Sequence, residues 1–262
     1  MTQGYHLTVA PNGARRGKAD HPALPLSTAG IAETARACQA EGAQAIHLHV
    51  RDGDGRHSLD AGRYRAAMAA IAERAPGMAI QITTEAADRY DVAAQYACLD
   101  ALRPAAASIS VREMARDSAL AARCYALARE AGTEVQHILY TPDCIARLKA
   151  WCNQGVITDP VPSVILVLGR YVPPVAATPG DLSPLLAALD RPVRWAACAF
   201  GRNERACLLA ALRLGGQVRI GFENNTETPE GAPLADNAAS VRAFVAAAAA
   251  EGLHPARPSI PA

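Results

Sequence analysis

Eight short runs of β-branched and aliphatic residues alternate along this chain with longer alanine-rich stretches of helical period, and that alternation limits its fold more than any other feature. The strand-like runs are Tyr5 to Ala10, Ala45 to Val50, Met78 to Thr83, Ala106 to Ser110, Glu134 to Leu139, Ser163 to Leu168, Arg194 to Cys198 and Gln217 to Gly221. Helical segments fill the gaps, the clearest being Thr28 to Glu41, Ala61 to Arg74, Ser118 to Ala131, Asn203 to Leu214 and Asp236 to Glu251. With no break in composition, this predicts one domain over residues 1–262, closed as a parallel (β/α)8 TIM barrel. A doubly wound open sheet would carry fewer strands and a nucleotide-binding glycine loop, and the chain has no GxGxxG or Walker sequence. From about Gly252 the tail holds Pro255, Pro258 and Pro261, cannot continue a helix, and is expected to lie against the barrel or a neighbouring subunit.

Composition narrows the partners. A net charge of +1 argues against a general electrostatic footprint for nucleic acid or a membrane surface, and no apolar run is long enough to span a bilayer. The N-terminus enters a strand-like run without a charged region and apolar signal core. The seven cysteines form no CxxC, and Cys98, Cys124 and Cys207 fall in helical stretches where a thiol packs as a small hydrophobe. These features predict a soluble protein of the reducing cytoplasm.

The chemistry centres on QAIHLHVRD, residues 44–52. Alternation on a strand puts His47 and His49 on one face, which is metal-ligand geometry, although two histidines near a strand end are also ordinary surface residues. A catalytic zinc site with an open position needs a carboxylate as well, and Glu223 in VRIGFENN is the candidate. Barrel closure brings the last strand beside the first, with the second next, so Glu223 can approach both imidazoles. Other polar residues fall at the same strand ends: Asn12 and Arg15; Arg51 and Asp52; Thr83, Thr84 and Glu85; Ser108, Ser110 and Arg112; Arg219, Asn224 and Asn225. His6, His21, His57 and His254 read as solvated or capping residues, and His137 stays open as a site residue.

The segments TVAPNGARRGKADHPALP, AIHLHVRDGDGR, VILVLGRY and GGQVRIGFENN together resemble the β-keto acid cleavage enzymes, the family that includes 3-keto-5-aminohexanoate cleavage enzyme. The resemblance runs over nearly the whole chain. It implies a zinc-dependent barrel enzyme, a tetramer, that condenses a β-keto acid with acetyl-CoA and yields acetoacetate and a new acyl-CoA. By the family pattern His47, His49 and Glu223 match the zinc ligands. Thr83 and Ser108 match hydroxyls lining the substrate pocket, with Ser110 grouped beside them, and Arg219 matches a catalytic arginine. Such a zinc polarises a keto oxygen, and hydroxyl and guanidinium donors suit the oxyanion charge that develops beside it.

Two positions depart from the family pattern. Asn224 stands where the family has an aspartate that works with the arginine, and an amide cannot take a proton. Either Glu85, Asp52 or a zinc-bound water substitutes, or the chemistry is slow or altered; Glu85 reads equally as a loop carboxylate paired with Arg89 or Arg112. Arg15 stands where the aminohexanoate-cleaving member has a glutamate suited to an ammonium group, so the expected substrate carries a distal carboxylate, as in a β-keto dicarboxylic acid. Alternatively, Arg15 belongs with Arg16 and Lys18 to a solvated basic loop or to a site for CoA phosphates. Two further functions stay open: a metal-dependent aldolase or hydrolase that needs no CoA, and an impaired homologue that only binds keto acid.

Overall fold

The computed structural model describes residues 4–256. The strands in chain order are β1 (Leu7–Val9), β2 (Ala45–Leu48), β3 (Val50–Arg51), β4 (His57–Ser58), β5 (Ala79–Thr83), β6 (Ala106–Ser110), β7 (Glu134–Leu139), β8 (Ser163–Leu168), β9 (Arg194–Ala199) and β10 (Gln217–Ile220). All but β3 and β4 close into a parallel barrel in the ring order β1-β10-β9-β8-β7-β6-β5-β2. The fold is the (β/α)8 TIM barrel that the alternation predicts. Around it run α1 (Thr28–Ala40), α2 (Ala61–Arg74), α3 (Val92–Leu102), α4 (Val111–Met114), α5 (Ser118–Glu130), α6 (Pro142–Asn153), α7 (Leu182–Ala188), α8 (Glu204–Arg213) and α9 (Asn237–Ala249). Ser27, Asp60, Asp91, Asp117, Thr141 and Asp236 each cap a helix N-terminus by accepting a backbone N–H, which fixes where α1, α2, α3, α5, α6 and α9 begin.

The run expected as one strand from Ala45 to Val50 is broken. Its ladder with β5 ends at the pair Leu48–Ile82, and after His49 the chain enters an antiparallel β3–β4 hairpin. The turn chemistry of Asp52-Gly53-Asp54-Gly55 accounts for this: the Asp52 carboxylate accepts from the N–H groups of Asp54 and Arg56, and Gly55 takes φ 77°. His49 thus sits at the lip of the barrel.

The larger apolar core lies between strands and helices, with Ile46, Leu48, Ile82, Leu166 and Val218 on outward faces. A second cluster, Ile138, Ile165, Val167, Ala196, Cys198 and Phe200, comes from the inward-facing positions of β7, β8 and β9 and from the end of β9. The lumen therefore has an apolar side at β7–β9 and a polar side at β10, β2, β5 and β6. At the other end of the chain Pro255 bridges to Tyr5, the Tyr5 N–H donates to His254 O at 3.0 Å, and Ala256 N–H donates to Tyr5 O at 2.7 Å. The tail to residue 256 thus lies on the barrel, while Pro258 and Pro261 fall outside the described residues. Cys98, Cys124 and Cys207 are buried as free thiols in α3, α5 and α8. Among the described residues no helix is long and apolar enough to cross a membrane.

Candidate active site

Barrel closure brings Glu223 to His47 and His49, from which it is far away in sequence. The Nε2 atoms of His47 and His49 face each other at 3.1 Å, with the rings nearly perpendicular. Glu223 stands 3.5 Å from His49 Nε2 through Oε1 and 3.8 Å from His47 Nε2 through Oε2. The three ligand atoms lie within 4.8 Å of one another, and all three residues are buried. Four-coordinate zinc with bonds of about 2.0–2.1 Å holds its ligand atoms about 3.3 Å apart, so the His–His–Glu set fits a metal ion. A second feature supports the fit. His47 Nδ1 donates to Gln81 Oε1 at 2.8 Å across the β2–β5 register pair, which leaves the Nε2 lone pair free for a ligand bond. Gln81 in turn donates to Gln136 at 3.3 Å. Burial, with Arg219 nearby, pushes the His47 pKa well down, so its imidazole is neutral. For Glu223 burial opposes the charge, but Arg219, His49 and His47 outweigh it and hold the carboxyl well below the usual range.

Glu223 is aimed by a tightly held turn. After β10, Gly221 takes φ 141°, and a Cβ there would stand 2.4 Å from Ala10 O, so only glycine fits. Phe222 N–H donates to Asn237 Oδ1 at 2.9 Å, while Asn237 Nδ2 donates to Pro11 O at 3.0 Å. The buried Glu204 accepts from Gly221 N–H at 3.2 Å and from Asn225 Nδ2 at 3.4 Å. From the other side Gly13, at φ 60°, lies against Glu223, where a Cβ would come within 2.6 Å of Glu223 Cγ. The loop that carries Gly13 is pinned by the buried Arg51, which donates to the carbonyls of Asn12, Gly13 and Arg16.

The family model for beta-keto acid cleavage enzyme matches residues 5–260. The chain belongs to that family. It is 26% identical to the 3-keto-5-aminohexanoate cleavage enzyme of Fusobacterium nucleatum, over 88% of this chain and 86% of that one. It is 25% identical to the 3-oxoadipate:acetyl-CoA acetyltransferase of Cupriavidus necator, over 92% and 87% respectively. Among solved structures, the ternary complex of ObcA with C4-CoA adduct and oxalate has the same fold, with a TM-score of 0.69 at 16% identity, matching 89% of this chain and 65% of that one. This chain therefore spans just under two thirds of the ObcA length. The 3-dehydroquinate dehydratase of Geobacillus kaustophilus also shares the barrel, with a TM-score of 0.60 at 12% identity over 95% and 92% of the two chains.

Of the other positions matched to the family pattern, Arg219 is buried 3.7 Å from Glu223 and donates through Nη2 to Cys198 Sγ, leaving Nε and Nη1 without partners. Burial opposes its charge, yet Glu223 and Cys198 raise its pKa, so it stays a cation. Ser108 donates to Thr83 Oγ1 at 3.1 Å across the β5–β6 register pair, and Glu85 N–H donates to the same oxygen. Ser110 Oγ is buried without a partner among the described residues. Asn224, which the resemblance sets at the family's aspartate position, has both side-chain polar atoms buried and, among the described residues, unpaired, as a group that meets a ligand would. The alternative reading of Glu85, a pairing with Arg89 or Arg112, does not hold: Arg89 bonds Asp52 at 3.0 Å and Arg112 stacks on Tyr140. Glu85 instead lies 4.0 Å from His49 Nε2, and burial raises its pKa. Asp52, tied to Arg89, Arg56 and two backbone N–H groups, is committed to the hairpin. Arg15 faces the β5–α3 loop and pairs with Asp88 at 2.7 Å.

Two of the histidines read as solvated or capping are buried. His21 keeps the capping role, its Nδ1 accepting from Ala23 N–H at 3.2 Å while Nε2 meets Leu234 O at 2.8 Å, and His57 Nε2 meets Glu85 O at 2.9 Å. The His57 ring lies 5.2 Å from that of His49, and burial pushes its pKa down to about 3. His6 and His254 are exposed as expected. His137 packs against Tyr125 of α5, outside the lumen and away from the site. Sequence reasoning missed Gln81, Glu204, Asn237 and Tyr171. For Gln81 a signal existed, because a lone amide in the run AIQIT falls on the inward face two residues before Thr83.

Proposed function

We propose that this chain exchanges acyl groups between a β-keto acid and acetyl-CoA, with zinc held by His47, His49 and Glu223. In net terms R–CO–CH2–COO⁻ and acetyl-CoA give acetoacetate and R–CO–SCoA. The observation that carries the reading is the buried His–His–Glu group beside the unsatisfied guanidinium of Arg219, in a chain of this family. When bound, the metal supplies Lewis-acid polarisation of a keto oxygen. The chain's own residues do the rest. Glu85, its pKa raised by burial, takes the proton from C2 of the keto acid. The C2 carbanion adds to the acetyl carbonyl carbon and the C–S bond breaks. The released thiolate then adds to C3, the C2–C3 bond breaks, and C2 recovers its proton. The free Nε and Nη1 of Arg219 donate to the oxygens on which charge develops. Thr83, Ser108, Ser110 and the Asn224 amide orient the substrate.

The substrate class we infer is a β-keto dicarboxylic acid, its distal carboxylate read by Arg15, whose guanidinium offers paired donors. A relative named for 3-oxoadipate supports a dicarboxylic substrate in this family. We take the working protein to be a cytoplasmic homotetramer. Product analysis tests the reading: incubated with β-keto acids, the protein should release acetoacetate and a new acyl-CoA only when acetyl-CoA is present. Cleavage without acetyl-CoA would identify an aldolase or hydrolase, and binding without turnover an impaired homologue.

A further inference from the structure

Next to Asn224, one wall of a cavity is built by a segment after β8 that the proposed chemistry leaves unused. After β8, Arg170 and Val175 exchange backbone hydrogen bonds of 3.1 Å in both directions, which pins residues 171–174 into a tight turn. Tyr171 points inward from this turn. Its ring packs edge-on against Phe200, with centroids 4.4 Å apart, and rests on the apolar cluster of the lumen. The Arg16 guanidinium lies 5.5 Å from the ring centroid and donates to Asn224 O at 3.3 Å, so the ring is fixed on two sides. Tyr171, Arg16, Phe200 and Asn224 line one cavity of about 500 Å³. The Tyr171 hydroxyl is buried and has no hydrogen-bond partner among the described residues. A buried phenol ordinarily finds one, so this hydroxyl is a donor held ready for something that enters the cavity.

We propose that Tyr171 is a catalytic residue of the acyl exchange, its hydroxyl donating a hydrogen bond to the thioester carbonyl oxygen while C2 of the keto acid adds to that carbon. The inference rests on the function proposed above. As the C2–C bond forms, the carbonyl π pair moves onto the oxygen beside Tyr171. When that pair returns, the C–S bond breaks and sulfur leaves with its electrons as thiolate. Tyr171 keeps its proton throughout. Burial, with Glu223 adding to it, pushes its pKa up against the opposing effect of Arg16, so the group serves as a donor and never as a base. Position also separates its task from that of the His–His–Glu group: those residues stand on the β2 and β10 side, Tyr171 on the β8 and β9 side, so each can meet a different carbonyl oxygen.

Tyr171→Phe tests this directly, because it keeps the ring, its contact with Phe200 and the surface under Arg16. The expected result is a fall in kcat with acetyl-CoA of about 10²- to 10³-fold, the effect of deleting one oxyanion donor, with metal content and melting temperature unchanged. The keto-acid KM should move by less than about 3-fold. Tyr171→Leu is the companion variant. If the residue only shapes the turn, Phe will be fully active and Leu alone will lose activity, and a Phe variant with kcat within about 3-fold of wild type overturns the proposal. A change confined to KM, with kcat held, overturns it as well. If the wild-type protein yields no acetoacetate and acyl-CoA, the proposed function fails and takes this inference with it. If the wild type turns over and Phe keeps pace, only the inference fails.

Discussion

Three side chains make the chemistry of the site testable one residue at a time. Asn224, read from the resemblance as standing in place of a carboxylate, is buried with both polar atoms unpaired among the described residues. With Glu85 as the base, Glu85→Gln should lower the condensation rate about 10²- to 10⁴-fold, the contribution of a positioned general base, and Asn224→Asp should not raise it. A faster Asp variant would mean that the amide merely replaces a base, and unchanged activity in Glu85→Gln would remove Glu85 from that role. Gln81 fixes the His47 tautomer from below. Gln81→Leu should weaken metal binding about 10- to 100-fold in a chelator competition, and equal affinity would assign the glutamine to packing alone. Arg15 is the third. It is tied to Asp88, and we propose that it reads the distal group of the substrate. Arg15→Ala should cost about 1.5–3 kcal/mol in kcat/KM for a dicarboxylic keto acid while leaving the acetyl-CoA KM nearly unchanged. A rise confined to the acetyl-CoA KM would instead assign Arg15 to CoA phosphates.

Among the elements, the turn from Gly221 to Asn225 depends on α8 more than its sequence suggests. Glu204, the first residue of α8, is buried beneath the turn, and burial pushes its pKa up to about 8 despite the N–H donors of Gly221 and Asn225. An unfolded glutamate titrates near 4.3, so between that pH and 8 the native state holds a proton that the unfolded state has released. Stability should therefore be greatest below the lower value and fall as pH rises toward 8, by up to about 1.4 kcal/mol per pH unit. Glu204→Gln, which keeps a neutral hydrogen-bonding group, should flatten this slope and melt higher than wild type at pH 8. Melting curves that fall in parallel for both proteins would show that Glu204 does not carry the effect. No sequence signal marks this carboxyl, because an acidic residue in a first helical turn ordinarily faces solvent and favours the helix dipole. His57 was misread for a related reason: the hairpin folds its ring under Glu85, and only the tertiary path of β3 and β4 reveals that.

For the whole molecule, the strand–helix period was enough to reach the closed barrel, and β6, β7 and β8 have the bounds that the sequence predicts. Period carries over because each strand is buried on its outer face by a helix, a pattern that short apolar runs record faithfully. The end of β2 was not legible, since the hairpin's turn, rather than hydrophobic pattern, stops that ladder. Closure explains why His47, His49 and Glu223 could be matched from sequence: β10 lies beside β1 and β1 beside β2, whatever the helices do. The orientation of Arg15 toward Asp88 and the inward turn of Tyr171 depend on loop paths that periodicity does not encode. In the proposed acyl exchange C2 of the keto acid moves onto the acetyl group. Acetyl-CoA labelled with ¹³C at its carbonyl, incubated with an unlabelled β-keto acid and the protein, should give acetoacetate carrying the label at C3 and a new acyl-CoA without it. Acetoacetate without label, or cleavage that leaves the labelled acetyl-CoA intact, would contradict the account.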